Sequence, residues 1–418
     1  MDKIEKANAC MASGETEKGL SMLRDLVSDP DDAIAFEAAS IYQNYGFLDE
    51  AEAVYKRLLA SYPDDSELLL QVSDLLIDKD QEDQAIDYLL QISSGDGNYL
   101  SAQVLLAELY QLEGLDEVAE RKLKHALKIS PGNPLLLDAL GEFYLSCGQP
   151  ANAATCFEAI VENKMLADQN IDLKLAEAYS LCGKFEEALT AYQKGLKKEK
   201  RLDGLFGYAM AASRLQKNTI VISSLEELRE LDPGYSTLYP VLANAYKQEG
   251  QLEKALQIAE AGLEQDEYNN RLFTEAANLA AASHQNEKAA YYFQKCLELD
   301  PENTQSLIRL IELYAQNGDY QSIIKQLEKR HPEDPMLQWF LATAYNQEDR
   351  LDEAGHYYQA CSSHFSGNPE FLREYGDYLR DIGNAEKGLI LLERALKLNP
   401  ENDELAEFIN RLKQDDFD

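Results

Sequence analysis

Ala51, Ala85, Ala119 and Ala153 stand 34 residues apart, and alanine returns at 188, 255 and 289. Pro63, Pro131, Pro233 and Pro301 are separated by multiples of the same interval. A fixed period of this length means one supersecondary unit copied many times, so the chain is an array rather than a single-core globule. An array has a long open face, which tilts the functional expectation from chemistry toward binding.

The unit is clearest at residues 100–133. Leu106, Ala107 and Tyr110 recur at helical spacing, Gly114 interrupts, and Ala119, Leu123, Ala126 and Leu127 form a second helical stripe. Gly114 sits where a helix end needs a residue free to take positive φ, and Pro131 closes the second helix. Each unit is therefore two helices joined by a tight turn. Ala107, Ala119 and Ala126 let two backbones approach, while Tyr110 and Leu123 fill the space between successive units.

The pattern repeats as Ala39-Tyr42-Gly46-Ala51-Tyr55-Pro63 and as Gly141-Tyr144-Gly148-Ala153-Phe157. It recurs as Ala176-Tyr179-Gly183-Ala188-Tyr192, Ala243-Tyr246-Gly250-Ala255 and Gly376-Gly383-Ala395-Pro400. Small, large and glycine positions at this period resemble the tetratricopeptide-repeat (TPR) family, and the stand-alone layout resembles the YpiA-type TPR proteins of Bacillus-like bacteria. The resemblance covers almost the whole chain. It implies an all-α fold, a right-handed TPR superhelix of about twelve helix-turn-helix repeats.

The expected organisation is one array over 1–402, with residues 403–418 forming a capping helix and acidic tail. Leu405, Phe408, Ile409 and Leu412 are spaced to face inward and shield the last repeat. One extra residue lies between the fifth and sixth copies. Gln216 and Val221 replace the expected Gly and Ala in the seventh, and the tenth is short, ending at Lys329–Pro335. Because array stability is a sum of unit and neighbour terms, soft joints are expected near 202–235 and 304–335.

The net charge is −36. Residues 1–150 carry 29 acids against 11 bases, and 251–418 carry 32 against 16, whereas 151–250 is nearly balanced. Such a surface repels phosphate, so neither nucleic acid nor an anionic membrane is expected as a direct partner. The bland reading of the acidity is solubility; the functional one is a docking surface for a basic segment. The N-terminus lacks an apolar signal segment and no apolar run approaches a bilayer span, so the expected location is cytoplasmic. Six cysteines form no CxxC pair and are read as free thiols, with Cys296 and Cys361 in the small-residue slot of Ala126.

Motifs for chemistry are missing: no glycine-rich phosphate loop, HExxH or GxSxG, and no cofactor or enzymatic activity is expected. His356 and Cys361 point about 140° apart on a helix, so with His364 they make no metal site. The basic run Lys194, Lys197, Lys198, Lys200 and Arg201 lies at a helix C-terminus, where cations complement the macrodipole.

A second stripe on each first helix, at the slots of Val104, Glu108 and Gln111, faces away from the core. The TPR resemblance implies that this stripe lines the concave groove where peptides dock. The Glu108 slot reads Asp74, Glu108, Glu142 and Glu177 in consecutive copies, and later Asn244 and Asn278. Stacked carboxylates favour a basic partner, and the amides suit a peptide backbone. The Val104 slot reads Phe36, Leu70, Val104, Leu173, Phe206, Ile308 and Trp339, candidate apolar anchors. The Lys/Asn/Arg clamp that the family uses for a C-terminal carboxylate is absent in its usual form. Lys174 stands beside Glu177, and Arg309 and Arg373 are isolated.

The expected function is an adaptor binding a peptide or helix of a protein partner. A self-assembling structural protein, separable by light scattering, and a peptide-sensing receptor, which needs an effector module, are the alternatives. A monomer and a dimer are both compatible with the sequence.

Overall fold

The computed structural model describes residues 3–330 and 332–415. The end of the expected acidic tail, 416–418, lies outside them, as does His331. Among the described residues there are 25 α-helices, one 3-10 helix and no strand. The chain divides into two compact units, 1–217 and 218–418.

Unit 1 begins with hairpins α1 (Lys3–Ala12) and α2 (Thr16–Leu26), α3 (Asp32–Asn44) and α4 (Leu48–Ser61), and α5 (Ser66–Asp78) and α6 (Glu82–Leu89). It continues with α7 (Tyr99–Leu112) and α8 (Asp116–Ile129), then α9 (Pro134–Ser146) and α10 (Pro150–Ile160). The 3-10 helix Lys164–Gln169 follows, and then α11 (Ile171–Leu181), α12 (Phe185–Lys198) and α13 (Leu202–Arg214).

Unit 2 opens with α14 (Asn218–Leu231), followed by α15 (Leu238–Gln248) and α16 (Leu252–Gln265), and α17 (Asn270–Ala282) and α18 (Asn286–Leu299). The pairs α19 (Thr304–Gln316) and α20 (Tyr320–Glu328), α21 (Pro335–Gln347) and α22 (Leu351–Cys361), and α23 (Pro369–Asp381) and α24 (Ala385–Leu398) come next. A final helix, α25 (Asp403–Asp415), packs on α24. Leu405 and Ile409 are its buried residues, and Lys413 Nζ lies 2.5 Å from Glu393 of α24.

Local chemistry explains the alternation. Seven first helices start on an Asp or Asn whose side chain accepts backbone N–H groups of the first turn: Asp31, Asp65, Asn133, Asn269, Asn303, Asp334 and Asn368. Each first helix then ends on a residue with positive φ. At Gly114 (φ 73°), its own N–H reaches Gln111 O at 2.9 Å and the Leu115 N–H reaches Tyr110 O at 2.8 Å, the paired bonds of a Schellman turn. Asp80, Gln216, His284 and Asp349 take the same positive φ at the corresponding positions without being glycine.

The repeat's small residues do what their spacing predicts. Ala107, Ala119 and Ala126 are all buried. In the next hairpin Gly141 takes the Ala107 slot, and a Cβ there would lie 2.5 Å from the Phe157 ring. The shortest second helices are α6, with eight residues, and α20, with nine, against 14 in α8.

Candidate functional site

The stripe predicted on the first helices becomes a groove in unit 1. Leu70 and Asp74 of α5, Val104 and Glu108 of α7 and Glu142 of α9 line one cavity of about 800 Å³. Two irregularities bracket it. After the short α6 the chain runs through Ser93–Gly97 and brings Gly97 to the lining, while the extra 3-10 helix after α10 brings Gln169. Leu100, Leu105, Leu135, Leu136 and Ala139 add apolar surface.

The electrostatics of the groove are uneven. Burial pushes the Asp74 carboxyl above its usual range, and the neighbouring charge of Asp78 adds to this. Glu108 moves the same way, first by the groove walls around it and then by the charges of Glu142 and Asp74 on either side. At the other end, Lys174 of α11 reaches back to α9. Its ammonium donates to both oxygens of Asp138 at 2.8 and 2.9 Å and lies 2.6 Å from Glu142. Burial works against that charge, but the two carboxylates outweigh it and hold the ammonium above its ordinary value.

Asp138 escapes the sequence reading because it is the acidic member of a mostly apolar Val104 column. It is only 6% exposed and faces the groove. Its 34-residue offset from Val104 was the signal that could have found it. Lys174, which the sequence sets beside Glu177, is a partner of Asp138 and Glu142.

The remaining predicted residues take other places. Phe36 packs its ring 5.7 Å from that of Tyr55. Leu173 is buried rather than open to a groove, because its side chain fills the space left by Gly195 and Gly204. Glu177 is exposed on α11 outside the lining of the cavity, and Phe206 is half-buried on α13. In unit 2, Asn244 is exposed on α15, while Asn278 on α17 and Ile308 on α19 are half-buried.

Trp339 is half-buried and tethered. Its indole Nε1 donates to Glu374 at 2.9 Å, and its ring lies 5.0 Å from Phe365 and 5.3 Å from Phe371. Glu374 also accepts from the hydroxyls of Thr343 and Tyr358, the latter at 2.7 Å. The tryptophan ties α21 to α23.

A further pattern escaped the sequence reading because tyrosine was counted there only as bulk. Four tyrosines in the Tyr110 slot donate to a carboxylate of the preceding repeat's second helix. Tyr144 reaches Glu120 at 2.9 Å, Tyr179 reaches Glu158 at 2.8 Å, and Tyr246 reaches Glu226 at 2.8 Å. Tyr345 reaches Glu328 at 2.5 Å. Where Ala280 occupies the slot, Tyr292 from the second helix of the same repeat donates to Glu260 at 2.7 Å instead.

Comparisons with known proteins agree with this architecture. Residues 335–402 match the model of YpiA-like C-terminal tetratricopeptide repeats, residues 111–165 that of YpiA-like tetratricopeptide repeats, and residues 173–203 a general tetratricopeptide repeat. The TPR repeat-containing protein YpiA of Bacillus subtilis (strain 168) is 35% identical over 421 residues, covering 99% of each chain. Among solved structures, the C-terminal part of a TPR repeat-containing protein from Cytophaga hutchinsonii is 16% identical with a TM-score of 0.48. It covers 57% of this chain and 98% of its own. YrrB, a TPR protein with an unusual peptide-binding site, is 17% identical with a TM-score of 0.40, covering 45% of this chain and 96% of its own.

Proposed function

This chain belongs to the YpiA-like tetratricopeptide-repeat family, and from that premise we propose that it is an adaptor whose unit 1 groove holds a basic segment of a protein partner. The repeats themselves support a protein-interaction scaffold. The observation that carries the narrower reading is the convergence of Asp74, Glu108 and Glu142 over Leu70 and Val104 in one cavity. A lysine or arginine suits that pairing, since its methylene stem covers apolar surface while its head meets a carboxylate. The carboxylates at the open end crowd one another, and a cation from a partner relieves that repulsion.

The setting follows the same reading. The six cysteines are unpaired, which supports a reducing, cytoplasmic compartment. Among the described residues no helix is long and apolar enough to cross a membrane. A joint within 202–235 is supported by the boundary between the two compact units, and one within 304–335 by the shortness of α20. Adaptors of this kind need no catalytic group, and we assign none.

The test is binding of fluorescein-labelled decapeptides built from leucine and alanine, with or without lysine, to the intact protein and to Asp74→Asn/Glu108→Gln. The lysine peptides are expected to bind the native protein at least tenfold more tightly than the neutral ones, and the double variant is expected to abolish that preference. Equal binding of both peptide classes by the native protein overturns the reading.

A further inference from the structure

The groove already contains one ammonium. Lys174 crosses from α11 to α9 and sits between Asp138 and Glu142, one helical turn apart on the same helix. In the two preceding repeats the corresponding pairs are Val104 with Glu108 and Leu70 with Asp74, so each offers one carboxylate beside an apolar residue. No ion pair of Asp74 or Glu108 is found among the described residues, whereas Glu142 is already paired. The cavity therefore has a filled end and an open end, and the filling comes from the protein's own chain.

We propose that Lys174 is a specificity-determining residue, an intrachain occupant that fills the Asp138–Glu142 seat and leaves only the Asp74–Glu108 end for a partner's cation. This deepens the groove reading above and rests on it. With the seat filled, a segment carrying one lysine satisfies the groove, and additional lysines toward the α11 end meet the Lys174 ammonium instead of a carboxylate. With Lys174 removed, Asp138 and Glu142 become a second seat, and the groove turns from a selector of singly basic segments into a receptor for multiply basic ones.

The experiment uses two fluorescein-labelled leucine/alanine nonapeptides, one with a single lysine and one with three, titrated by anisotropy at two ionic strengths. Native protein is expected to bind the two within about threefold of each other. Lys174→Met is expected to bind the three-lysine peptide about tenfold more tightly than native protein does. Its salt dependence should be steeper, and its affinity for the single-lysine peptide unchanged within about threefold. Lys174→Arg, which keeps a cation in the seat, should behave as native. Lys198→Met removes a lysine that pairs with Asp172 away from this cavity and controls for net charge; it should change either affinity by less than about twofold.

If Lys174→Met does not fold, Lys174→Met/Asp138→Asn removes both charges of that pair and leaves Glu142 free. It should then shift in the same direction, by about threefold. Unchanged or weaker binding of the three-lysine peptide by the folded variant overturns the role of Lys174 while leaving the groove reading intact. Failure of either peptide to bind native protein overturns both.

Discussion

The hydroxyl of Tyr246 on α15 donates to the Glu226 carboxylate on α14 at 2.8 Å, joining one repeat to the one before it. Burial, the hydrogen bond to Glu226 and its charge together push the Tyr246 phenol up to about 12. The Lys254 ammonium lies 5.5 Å from the centre of the same ring. The contact combines a ring that fills the gap between helices with a polar tip that fixes their relative position.

Tyr246→Phe keeps the ring and removes the bond. A loss of about 1–2 kcal/mol of stability is expected, measured by urea denaturation, with Glu226→Gln less costly because the amide still accepts. Alkali should act through the same group. The folded phenol holds its proton more tightly than the unfolded one, so this contribution is fully present below about pH 10 and is lost as pH rises through about 12. A Tyr246→Phe protein whose stability over pH 9–12 follows that of the native protein would contradict this.

Acid should weaken the groove. Asp74 and Glu108 are both held above their ordinary carboxylate values, so they take up protons while exposed carboxylates remain charged. Affinity for a lysine peptide is expected to fall as pH drops from neutrality through that raised range. The sign for stability is opposite. The folded state holds these protons more tightly, so burying the two charged carboxylates, and secondarily the repulsion from neighbouring acids, costs stability at neutral pH and is relieved on acidification toward the unfolded-state values. Anisotropy titrations between pH 7.5 and 4.5 read the first effect and urea denaturation over the same range reads the second, each on native protein and Glu108→Gln.

Gly141→Ala is expected to destabilise unit 1 by about 1–3 kcal/mol, because the added methyl meets the Phe157 ring at 2.5 Å and either α9 or α10 must shift. Pairing it with Phe157→Leu should recover part of the loss. Thermal unfolding of the single and double variants reads the coupling directly.

Glu374→Ala leaves Trp339, Thr343 and Tyr358 without their shared acceptor, and a loss of about 3 kcal/mol is expected. Trp339 is the one tryptophan of the chain, so its fluorescence reports this region without interference. The emission maximum should move to the red in the variant as water reaches the indole. An unchanged spectrum would mean that the packing on Phe365 and Phe371 alone holds the ring.

The sequence makes the fold legible because each repeat restates it: a cap residue, a stripe of small residues and a turn position recur at 34-residue spacing. Even the irregular turn residues obey the frame, since Gln216 adopts the positive φ (56°) of the glycine it replaces. The candidate site was only partly legible. Glu108 and Val104 could be placed on one face by helical spacing, but the cavity they line also depends on Gly97 and Gln169, where the repeat is broken. Leu173 shows the limit of slot reasoning. Its column position matches that of Val104, yet Gly195 and Gly204 open a hole beside it that it falls into. Trp339 likewise looked like a free anchor because its partner Glu374 belongs to another slot, 35 residues on.

The final helix has a consequence for assembly. A repeat that offers a phenol on its first helix and a carboxylate on its second is complementary to a copy of itself, and stacking of that head-to-tail kind has no inherent stopping point. At the last repeat the carboxylate in that column is Glu393, and Lys413 of α25 is already bound to it. In the first hairpin the tyrosine position holds Cys10, which has no phenol to offer. Within the described residues the phenol–carboxylate pairing is therefore an internal device: Glu393 is taken by an intrachain ammonium, and Cys10 offers a thiol in place of a phenol.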